Sequence, residues 1–448
     1  MRIRFWGTRG SLPKPGSTTL HYGGNTSCVE VRTAGGTLIV LDCGTGVHGL
    51  GQALVAEEPS SVRGHLLITH THWDHIQGFP FFDPLFVPGN VWDIYGPGGL
   101  GRRLEETLAG QMEYSYFPIT LAQLGATIHY HDLIEATFAL DDVRVTTRYL
   151  NHPAPTLGYR LEADGVTLVY ATDHEPHARP QSDHPGETPP GLLPVHREDR
   201  GHIEFLAGAD LLIHDAQYTA AEYPKRIGWG HSPATYAVDV ALAAGAKRLA
   251  LFHHDPSRGD EALEQLLGVC QERVTAGHGT LEIDAAAEGQ RIDLCTAAVT
   301  SGLTVPLTPP VVTRDAPQAA GRPVTVLIVD DEADVVRLLL AALHAEGFHL
   351  LSARDGEAAL ALARAERPDL ILLDWMMPGR NGLDVCRALR AEADPQLRQV
   401  PVILLTARAG TEDIATGFAA GATDYLMKPF KLSYVRSRVR SWLLRQGT

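Results

Sequence analysis

The sequence predicts an α/β protein with two structural domains, and three observations lead to that class. The chain has 448 residues, about three times the ~150 residues of an ordinary domain. Residues 301–323 contain five prolines, which interrupt any helical or strand pattern and indicate an extended linker. Before this segment strands and helices are mixed, and after it they alternate strictly. We therefore expect a domain at 1–300, a linker at 301–322 and a second domain at 323–448.

Acidic residues and histidines are concentrated in the first domain. Residues 1–300 contain 21 Lys and Arg against 36 Asp and Glu, whereas residues 301–448 contain 17 of each, so the net charge of −15 arises in the first part. The first part also contains 19 of the 21 histidines, an excess that indicates metal or acid–base chemistry. An acidic domain argues against long nucleic acids as partners, because phosphates are neutralised by clustered Lys and Arg.

The sequence shows no segment suited to a membrane or to secretion. No run approaches the ~18 uncharged apolar residues that a membrane span needs. The first fifteen residues lack the apolar core of a signal peptide, and the five cysteines form no CxxC pair. We therefore expect a soluble, cytoplasmic protein with no membrane partner.

The first domain is predicted to be a layered mixture of strands and helices. Apolar runs predict strands at residues 27–33, 37–42, 65–69, 143–149, 167–171, 211–215 and 249–253, with helices at 232–244 and 260–276. Two long stretches rich in Pro and Gly, 78–125 and 174–201, are expected to be loops.

A histidine motif follows the predicted strand at 65–69. The segment His70-Thr-His72-Trp-Asp74-His75 places three imidazoles and one carboxylate within six positions. At a transition from strand to loop, such a set can present ligands to two metal ions about 3.5–4 Å apart. Further candidate ligands follow other predicted strands: His152, Asp173, His253 and His254. A surface histidine cluster without metal is the alternative, and these additional candidates argue against it.

A glycine motif in the same domain offers a competing interpretation. Gly44-Thr-Gly46-Val-His-Gly49 follows a predicted strand and matches the GxGxxG fingerprint of dinucleotide-binding proteins. Such a unit needs an acidic residue after its second strand, whereas here that strand runs directly into His70. The metal interpretation is therefore favoured.

After the linker, five strands alternate with five helices over about 120 residues, which predicts a doubly wound parallel sheet. Side chains at the carboxyl ends of parallel strands meet at one edge of the sheet. That edge is expected to gather Asp330, Asp331, Asp374, Thr406 and Lys428. Carboxylates suit Mg²⁺, while the lysine and the hydroxyl neutralise a phosphoryl group. Acidic residues that merely begin polar loops are the alternative, which five such positions together disfavour.

Residues 323–446 resemble the receiver domain of bacterial response regulators in the motifs VDDE, LLDWMMPGRNG, LLTA and YLMKPF. The resemblance implies a flavodoxin-like (βα)5 fold in which Asp374 accepts a phosphoryl group from a cognate histidine kinase. It further implies that Asp330, Asp331 and Asp374 hold Mg²⁺ together with the carbonyl of Met376.

The same resemblance assigns the remaining residues of the predicted phosphorylation site. Lys428 would contact the phosphoryl group, and Thr406 and Tyr425 would form the switch pair that responds to it. Whether the receiver domains form a homodimer stays open.

Residues 1–295 resemble the metallo-β-lactamase-fold hydrolases through the motifs HTHWDH and LDCGTG. The motifs LIHDAQYT and GHSP are most similar to those of the phosphodiesterase and tRNA 3′-processing branch. The resemblance implies an αββα sandwich and two bound Zn²⁺, or Mn²⁺ or Fe²⁺. The implied ligands are His70, His72 and His152 for the first ion, Asp74, His75 and His253 for the second, and Asp173 as the bridge. His254 is the alternative to His253. Asp42 would orient the metal ligands without binding a metal itself.

The resemblance also implies catalytic roles for three further side chains of this domain. Asp74, together with the bridging aspartate, would orient a metal-bound hydroxide. His231 would stabilise the charged transition state or protonate the leaving oxygen, with His214 in support. The favoured function is a dizinc phosphodiesterase that acts on a small phosphodiester or cyclic nucleotide and is regulated by phosphorylation.

One alternative to this function remains open, and two are disfavoured. The same fold could hydrolyse a lactone, a thioester or an amide. A non-catalytic signalling module with a structural metal is disfavoured, because every expected ligand is present. An iron-dependent, oxygen-reducing member is disfavoured, because that branch typically has a glutamate at the position of His72.

Overall fold

The structure is a computed structural model of the chain. It describes residues 1–57, 61–98, 103–177, 197–277, 280–295, 324–344, 346–406, 416–417, 419–430 and 432–446. The chain divides into two compact units, Met1–Val312 and Thr313–Thr448. The predicted linker at 301–322 lies outside the described residues, so the domain boundaries expected from the sequence stay a prediction.

The first unit begins and ends in a seven-stranded sheet. Its strands are β1 (Arg2–Gly7), β2 (Cys28–Arg32), β3 (Leu38–Leu41), β4 (Arg63–Leu67), β5 (Val91–Pro97), β6 (Thr127–Leu133) and β14 (Arg291–Asp293). They lie in the order β14-β1-β2-β3-β4-β5-β6, with antiparallel pairing from β14 to β3 and parallel pairing from β3 to β6. The last strand of the first unit therefore pairs with its first strand at the edge of this sheet.

A second seven-stranded sheet is formed by the middle of the first unit. Its strands are β7 (Thr137–Leu140), β8 (Val143–Tyr149), β9 (Leu157–Ala163), β10 (Val166–Ala171), β11 (Leu211–Asp215), β12 (Arg248–Phe252) and β13 (Glu282–Ala285). Their order is β13-β12-β11-β10-β9-β8-β7, antiparallel from β7 to β10 and parallel from β10 to β13.

The two sheets pack face to face and helices cover their outer faces. Phe5 of β1 lies against Phe252 of β12, with ring centroids 6.0 Å apart, and the Tyr170 hydroxyl of β10 donates a hydrogen bond of 2.8 Å to Asp42 beside β3. Apolar clusters join each sheet to its helices. The helices are α1 (Val47–Glu57), α2 (Trp73–Ile76), α3 (Leu104–Gln111), α4 (Arg197–Leu206), α5 (Ala234–Ala243) and α6 (Asp260–Ala276). The predicted four-layer αββα arrangement is confirmed.

The structure corrects the prediction that residues 78–125 form a loop. Strand β5 and helix α3 lie inside this stretch, because its apolar residues Trp92, Ile94 and Leu104 pack into the same buried cluster as β3 and β4. Proline and glycine at the ends of these elements masked their pattern in the sequence. Most of the second predicted loop, 174–201, lies outside the described residues.

Three of the residues singled out by the sequence analysis adopt left-handed backbone conformations at strand ends. They are Asp42 after β3 (φ 59°), Asp173 after β10 (φ 56°) and His253 after β12 (φ 60°). Non-glycine residues pay a free-energy cost in this region, and such residues concentrate at functional sites. Each lies where its strand turns, so the three side chains start from the same end of the sandwich.

The second unit is a five-stranded parallel sheet flanked by helices. Its strands, in the order β16-β15-β17-β18-β19, are β15 (Thr325–Val329), β16 (His349–Ala353), β17 (Leu370–Asp374), β18 (Val402–Thr406) and β19 (Asp424–Met427). The helices are α7 (Ala333–His344), α8 (Gly356–Glu366), α9 (Gly382–Arg390), α10 (Pro395–Gln399) and α11 (Leu432–Gln446). Buried apolar clusters lie on both faces of the sheet. This is the predicted doubly wound receiver architecture.

Among the helices of the described residues, none is both long enough and apolar enough to cross a membrane.

Candidate metal centre and phosphoacceptor site

The structure brings His70, His72 and His152 together as one group of candidate metal ligands, whose ligand atoms all lie within 4.8 Å of one another. Nδ1 of His72 is 3.1 Å from Nε2 of His152. The first histidine follows β4 and the third follows β8, so residues 82 positions apart meet at one end of the two sheets. His72 is exposed and lies at the opening of the site, whereas the other two are buried.

A second group consists of Asp74, His75 and His253 with Asp173. Nε2 of His253 is 3.1 Å from Oδ2 of Asp74 and 3.3 Å from Nε2 of His75. Oδ1 of Asp173 lies 3.2 Å from Nε2 of both histidines. Two imidazole nitrogens and one carboxylate oxygen therefore lie close together beside the Asp173 carboxylate.

Asp173 lies between the two groups and faces each with a different oxygen. Oδ1 faces the second group, and Oδ2 is 3.6 Å from Nε2 of His70 and 3.8 Å from Nε2 of His152. The residue is almost fully buried and takes its left-handed conformation at the end of β10. This is the placement that a carboxylate bridging two metal ions requires.

The hydrogen bonds of the ring nitrogens fit metal binding. Nδ1 of His75 donates to Asp42, Nδ1 of His152 donates to the carbonyl of Gly230, and Nδ1 of His70 contacts the hydroxyl of Thr69. In each case the contact of Nδ1 leaves Nε2 directed at the candidate site. Nε2 of His70 is buried and has no hydrogen-bond partner among the described residues.

Burial and the neighbouring charges shift the pKa values of the candidate ligands in both directions. Although burial acts against it, the carboxylates of Asp173, Asp74 and Asp42 raise the pKa of His75 well above the ordinary value. Burial holds the pKa of His70 and of His152 well below the ordinary histidine value, so both rings are neutral. Burial would raise the pKa of Asp74 and of Asp173, but the adjacent imidazoles His75 and His253 outweigh it and hold both carboxyl groups ionised.

Asp42 lies behind the second group, as the sequence predicted. Its carboxylate accepts hydrogen bonds from Nδ1 of His75 (2.8 Å), from the Tyr170 hydroxyl (2.8 Å) and from the backbone N–H of Thr69 (2.7 Å). It is fully buried. Asp42 therefore fixes the orientation and tautomer of one candidate ligand without reaching the site itself.

His231 is held beside the site by Asp215, a residue that the sequence analysis did not single out. Nδ1 of His231 donates a hydrogen bond of 2.7 Å to Asp215, and its ring stacks on that of His253 at 4.8 Å. Although burial acts in the opposite direction, the Asp215 carboxylate raises the pKa of His231 to about 9. Both residues also lie close enough to Asp173 and His253 to form a further candidate ligand group. Asp215 ends the predicted strand 211–215, and this position could have identified it from the sequence.

Two predicted residues do not reach the site. His254 turns away from the ligand groups, and its Nε2 donates to the carbonyl of Ala286 at 2.9 Å. His214 lies beneath the site: its Nδ1 donates to the carbonyl of Asp215, and its Nε2 is 3.0 Å from Nε2 of His202. Successive side chains of a strand point to opposite faces, so His214 and Asp215 cannot both face the ligands. His214 therefore lies beneath the site and does not face the candidate ligands, and its predicted role in support of His231 stays a prediction.

Glu175 is a second residue that the sequence analysis missed. Its carboxylate accepts hydrogen bonds from the backbone N–H groups of Gly228 (2.7 Å) and Gly230 (2.9 Å) and from the hydroxyl of Tyr223 (3.1 Å). It thereby fixes the loop whose Gly230 carbonyl contacts His152. No local sequence pattern links residue 175 to a loop some fifty positions later.

In the second unit, the predicted phosphorylation residues meet at the carboxyl edge of the sheet. Nζ of Lys428 is 2.7 Å from both Oδ2 of Asp330 and Oδ1 of Asp374. Burial and the nearby Asp330 raise the pKa of Asp374 against the opposing effect of Lys428. The backbone N–H of Met376 donates to Asp374 at 2.8 Å. Asp331 follows Asp330 on the same loop and is half-buried.

The predicted switch residues lie on neighbouring strands of this sheet. Thr406 ends β18 and Tyr425 is on β19, and both line a small cavity together with Trp375. The Tyr425 side chain is buried in the core cluster on one face of the sheet. In this structure the tyrosine is therefore already turned inward.

Comparison with known protein families identifies both units. Residues 37–254 match the family described as the beta-lactamase superfamily domain, and residues 326–440 match the response regulator receiver domain. The chain thus contains a domain of the metallo-β-lactamase fold followed by a receiver domain. The first match contains every residue of the two candidate ligand groups.

Two curated relatives are similar to the second unit. The DNA-binding response regulator MtrA of Mycobacterium tuberculosis is 47% identical over 120 residues, which cover 27% of this chain and 50% of MtrA. The probable transcriptional regulatory protein TcrX of the same organism is 46% identical over 130 residues, 29% of this chain and 54% of TcrX. The chain therefore spans about half the length of the curated relatives it matches.

Solved structures with the fold of the first unit include YhfI of Bacillus subtilis, a metallo-β-lactamase fold protein, and the short form of human tRNase Z. YhfI is 19% identical with a TM-score of 0.45 and covers 65% of this chain and 98% of its own. The tRNase Z structure is 22% identical with a TM-score of 0.43 and covers 65% and 99%.

Proposed function

We propose that the first domain is a two-metal hydrolase that acts on small phosphodiesters. The observation that supports this most directly is Asp173, which presents one carboxylate oxygen to each of two groups of candidate ligands. A single structural metal needs only one such group. Two metal ions in these groups would generate a hydroxide near neutral pH and offset the charge of an in-line displacement at phosphorus.

Contacts around the site hold the candidate metal ligands in position. Asp42 and the Gly230 carbonyl hold the rings of His75 and His152 in the orientation in which Nε2 faces the site. The carboxylate of Asp74, anchored by the backbone N–H of Ser11 at 2.7 Å, holds its place beside His253. These contacts keep the donor atoms in place before any ligand binds, which reduces the cost of reaching the reactive geometry.

His231 is the candidate for donating a proton or a hydrogen bond to the leaving oxygen. The hydrogen bond from Nδ1 to Asp215 stabilises the protonated imidazole, so that Nε2–H can donate to an oxygen that gains negative charge. Asp215 is itself fixed by the backbone N–H groups of Gln217 (3.0 Å) and Ser232 (3.2 Å). The pair has the arrangement of a general acid that a buried carboxylate orients and keeps protonated.

The surroundings of the site favour a small substrate with an aromatic group. Trp73, beside His72, is 77% exposed, and Trp229, two positions before His231, is 48% exposed. The guanidinium of Arg226 lies 4.5 Å from the centre of the Trp229 ring. Exposed tryptophans next to an opening suit stacking on a base, and the acidic character of residues 1–300 disfavours a long nucleic acid.

We further propose that phosphorylation of Asp374 by a histidine kinase regulates this hydrolase. Asp330, Asp331 and Asp374 would hold Mg²⁺ together with the carbonyl of Met376, and Lys428 would contact the phosphoryl group. The close approach of Lys428 to both aspartates supports this assignment.

The experiment that tests the hydrolase is an activity panel on full-length protein supplied with zinc or manganese. It compares bis(p-nitrophenyl) phosphate and cyclic nucleotides with a thioester and a lactone. Hydrolysis of the phosphodiesters, lost in His72→Ala and retained in His129→Ala, supports the proposal; the control histidine is exposed and pairs with Asp93 instead. Hydrolysis of the thioester or the lactone alone would contradict it in favour of another hydrolase, and no turnover would indicate a non-catalytic module.

A further inference from the structure

A pocket rich in arginine lies in the first unit, apart from the candidate ligand groups. It is formed by the outer face of β14, β1 and β2 and by helix α1, and encloses about 110 Å³. Its charged lining residues are Arg2, Arg4, Arg32, Arg291, Glu30 and Glu57. None of them belongs to either candidate ligand group.

The strand register places two of these arginines directly opposite each other. Arg4 of β1 pairs with Arg291 of β14 on one side and with Glu30 of β2 on the other. Like charges in directly opposite positions of an antiparallel pair are unfavourable. Burial and the nearby Arg291 lower the pKa of Arg4, in agreement with this repulsion.

The carboxylate of Glu30 is already engaged by other side chains. Its Oε1 accepts from Nε of Arg32 at 2.6 Å and its Oε2 accepts from the indole N–H of Trp6 at 2.9 Å. The side chain of Arg291 has no hydrogen bond or ion pair within the described part of the chain. Glu30 and Glu57 lie near enough to Arg4 to favour its charged form, but neither carboxylate is bonded to Arg291.

Stacking on Trp6 fixes the guanidinium of Arg4. The carbon atom of the guanidinium lies 3.8 Å from the centre of the indole ring. Nε of Arg4 is buried and lacks a hydrogen-bond partner among the described residues. A guanidinium is planar, and stacking fixes the orientation of that plane, so its N–H groups are held ready to bind the oxygens of a phosphate or carboxylate.

The charge of the pocket indicates which anion it suits. Four arginines and two glutamates line the pocket, and Arg2 also pairs with Asp293 outside the lining. Positive charge is therefore in excess here, although residues 1–300 as a whole are strongly acidic. A phosphate group offers oxygens in several directions to more than one guanidinium group, whereas a carboxylate offers two oxygens in one plane. The enclosed volume is several times the ~10–15 Å³ that one ordered water needs, so a phosphate group has room.

We propose that this pocket binds the phosphate group of a small molecule through the guanidinium groups of Arg4, Arg32 and Arg291. The site is separate from the metal centre and does not depend on the proposed hydrolase activity. Free phosphate and a nucleoside monophosphate share the required chemistry, and the test below separates them.

The test compares full-length wild type, Arg291→Gln and Arg63→Gln by calorimetric titration and thermal unfolding. Arg63 is an exposed arginine of β4 outside the pocket, so the control carries the same charge change. The ligands are inorganic phosphate and adenosine monophosphate, each measured against sodium chloride of equal ionic strength. Tighter binding of one of them identifies the source of the phosphate group.

Phosphate should raise the unfolding temperature of wild type and of the control, and should bind Arg291→Gln at least ~10-fold more weakly, since a charge-assisted hydrogen bond is lost. Without phosphate, Arg291→Gln should unfold at the wild-type temperature or above it, because the like-charged pair is removed. Equal phosphate binding by all three proteins would overturn the proposal. The proposal would also be overturned if Arg291→Gln unfolded below the wild-type temperature by the same amount with and without phosphate. The arginine would then be structural.

A second variant keeps the proposal testable if Arg291→Gln fails to fold. Arg4→Lys retains the positive charge but loses the planar fork that stacks on Trp6. It should fold and bind phosphate more weakly than wild type; unchanged binding would contradict the proposed role of the stacked guanidinium.

Discussion

The carboxylate of Glu175 accepts a hydrogen bond of 2.9 Å from the backbone N–H of Gly230, and the carbonyl of the same glycine accepts one of 2.9 Å from His152. One peptide segment thus connects a buried carboxylate to a candidate metal ligand. Gly230 has φ +90°, and a Cβ there would lie 2.2 Å from Pro153 and 2.3 Å from the ring of His152. Only glycine fits this position without displacing the ligand.

Replacing Glu175 by Gln should therefore weaken metal binding by roughly tenfold, because outer contacts of this kind orient the ligand histidines. The carboxamide keeps the size of the side chain but cannot accept from both N–H groups as a carboxylate does. Metal affinity is measured by competition with a chelator. Glu222→Gln is the control, since Glu222 is exposed and pairs with Arg258. Equal affinities in the two variants would show that the loop does not orient His152.

Purified protein should carry close to two equivalents of transition metal, in accordance with the two candidate groups. His72→Ala removes one ligand of the first group and should lose metal and activity together. Elemental analysis gives the metal content of each protein. A folded wild-type protein that retains no metal after reconstitution would refute the proposed centre.

Replacing His231 by Ala should reduce turnover by ~10²-fold or more without loss of metal, because the side chain acts on the charged leaving oxygen. Asp215→Asn should reproduce much of this effect, since it removes the carboxylate that stabilises the protonated ring. The two variants are compared by kcat, KM and metal content. Loss of metal in either variant would instead make the residue a ligand, as the group with Asp173 and His253 permits.

Acetyl phosphate and Mg²⁺ should change the hydrolase rate of the wild type several-fold and leave that of Asp374→Asn unchanged. The reason is that Asp374 is the carboxylate beside Lys428 that is expected to accept the phosphoryl group. Phosphorylation then shifts a pre-existing equilibrium of the receiver through Thr406 and Tyr425. The measurement is turnover of both proteins with and without the donor. The same response in both would reject phosphorylation of Asp374 as the regulator.

The contiguous motifs were sufficient to predict the fold of both units and most of the candidate centre. His70, His72, Asp74 and His75 occupy one short segment after a strand, so their mutual proximity follows from local geometry. Strict alternation after the linker likewise implied a parallel sheet whose carboxyl edge collects Asp330, Asp374 and Lys428, because parallel strands all end on the same side. The matched family domains confirm both architectures.

What the sequence could not decide is which way a side chain faces and which distant backbone it meets. His253 and His254 are adjacent, yet only the first points at the site, because its left-handed backbone turns it there at the end of β12. Glu175 acquires its role through backbone N–H groups, which leave no trace in residue types. Arg4 and Arg291 lie at opposite ends of the domain and become neighbours only because the last strand of the sheet pairs with the first. Local pattern therefore determined the classes of element and the contiguous motif, whereas strand pairing and side-chain direction decided the contacts.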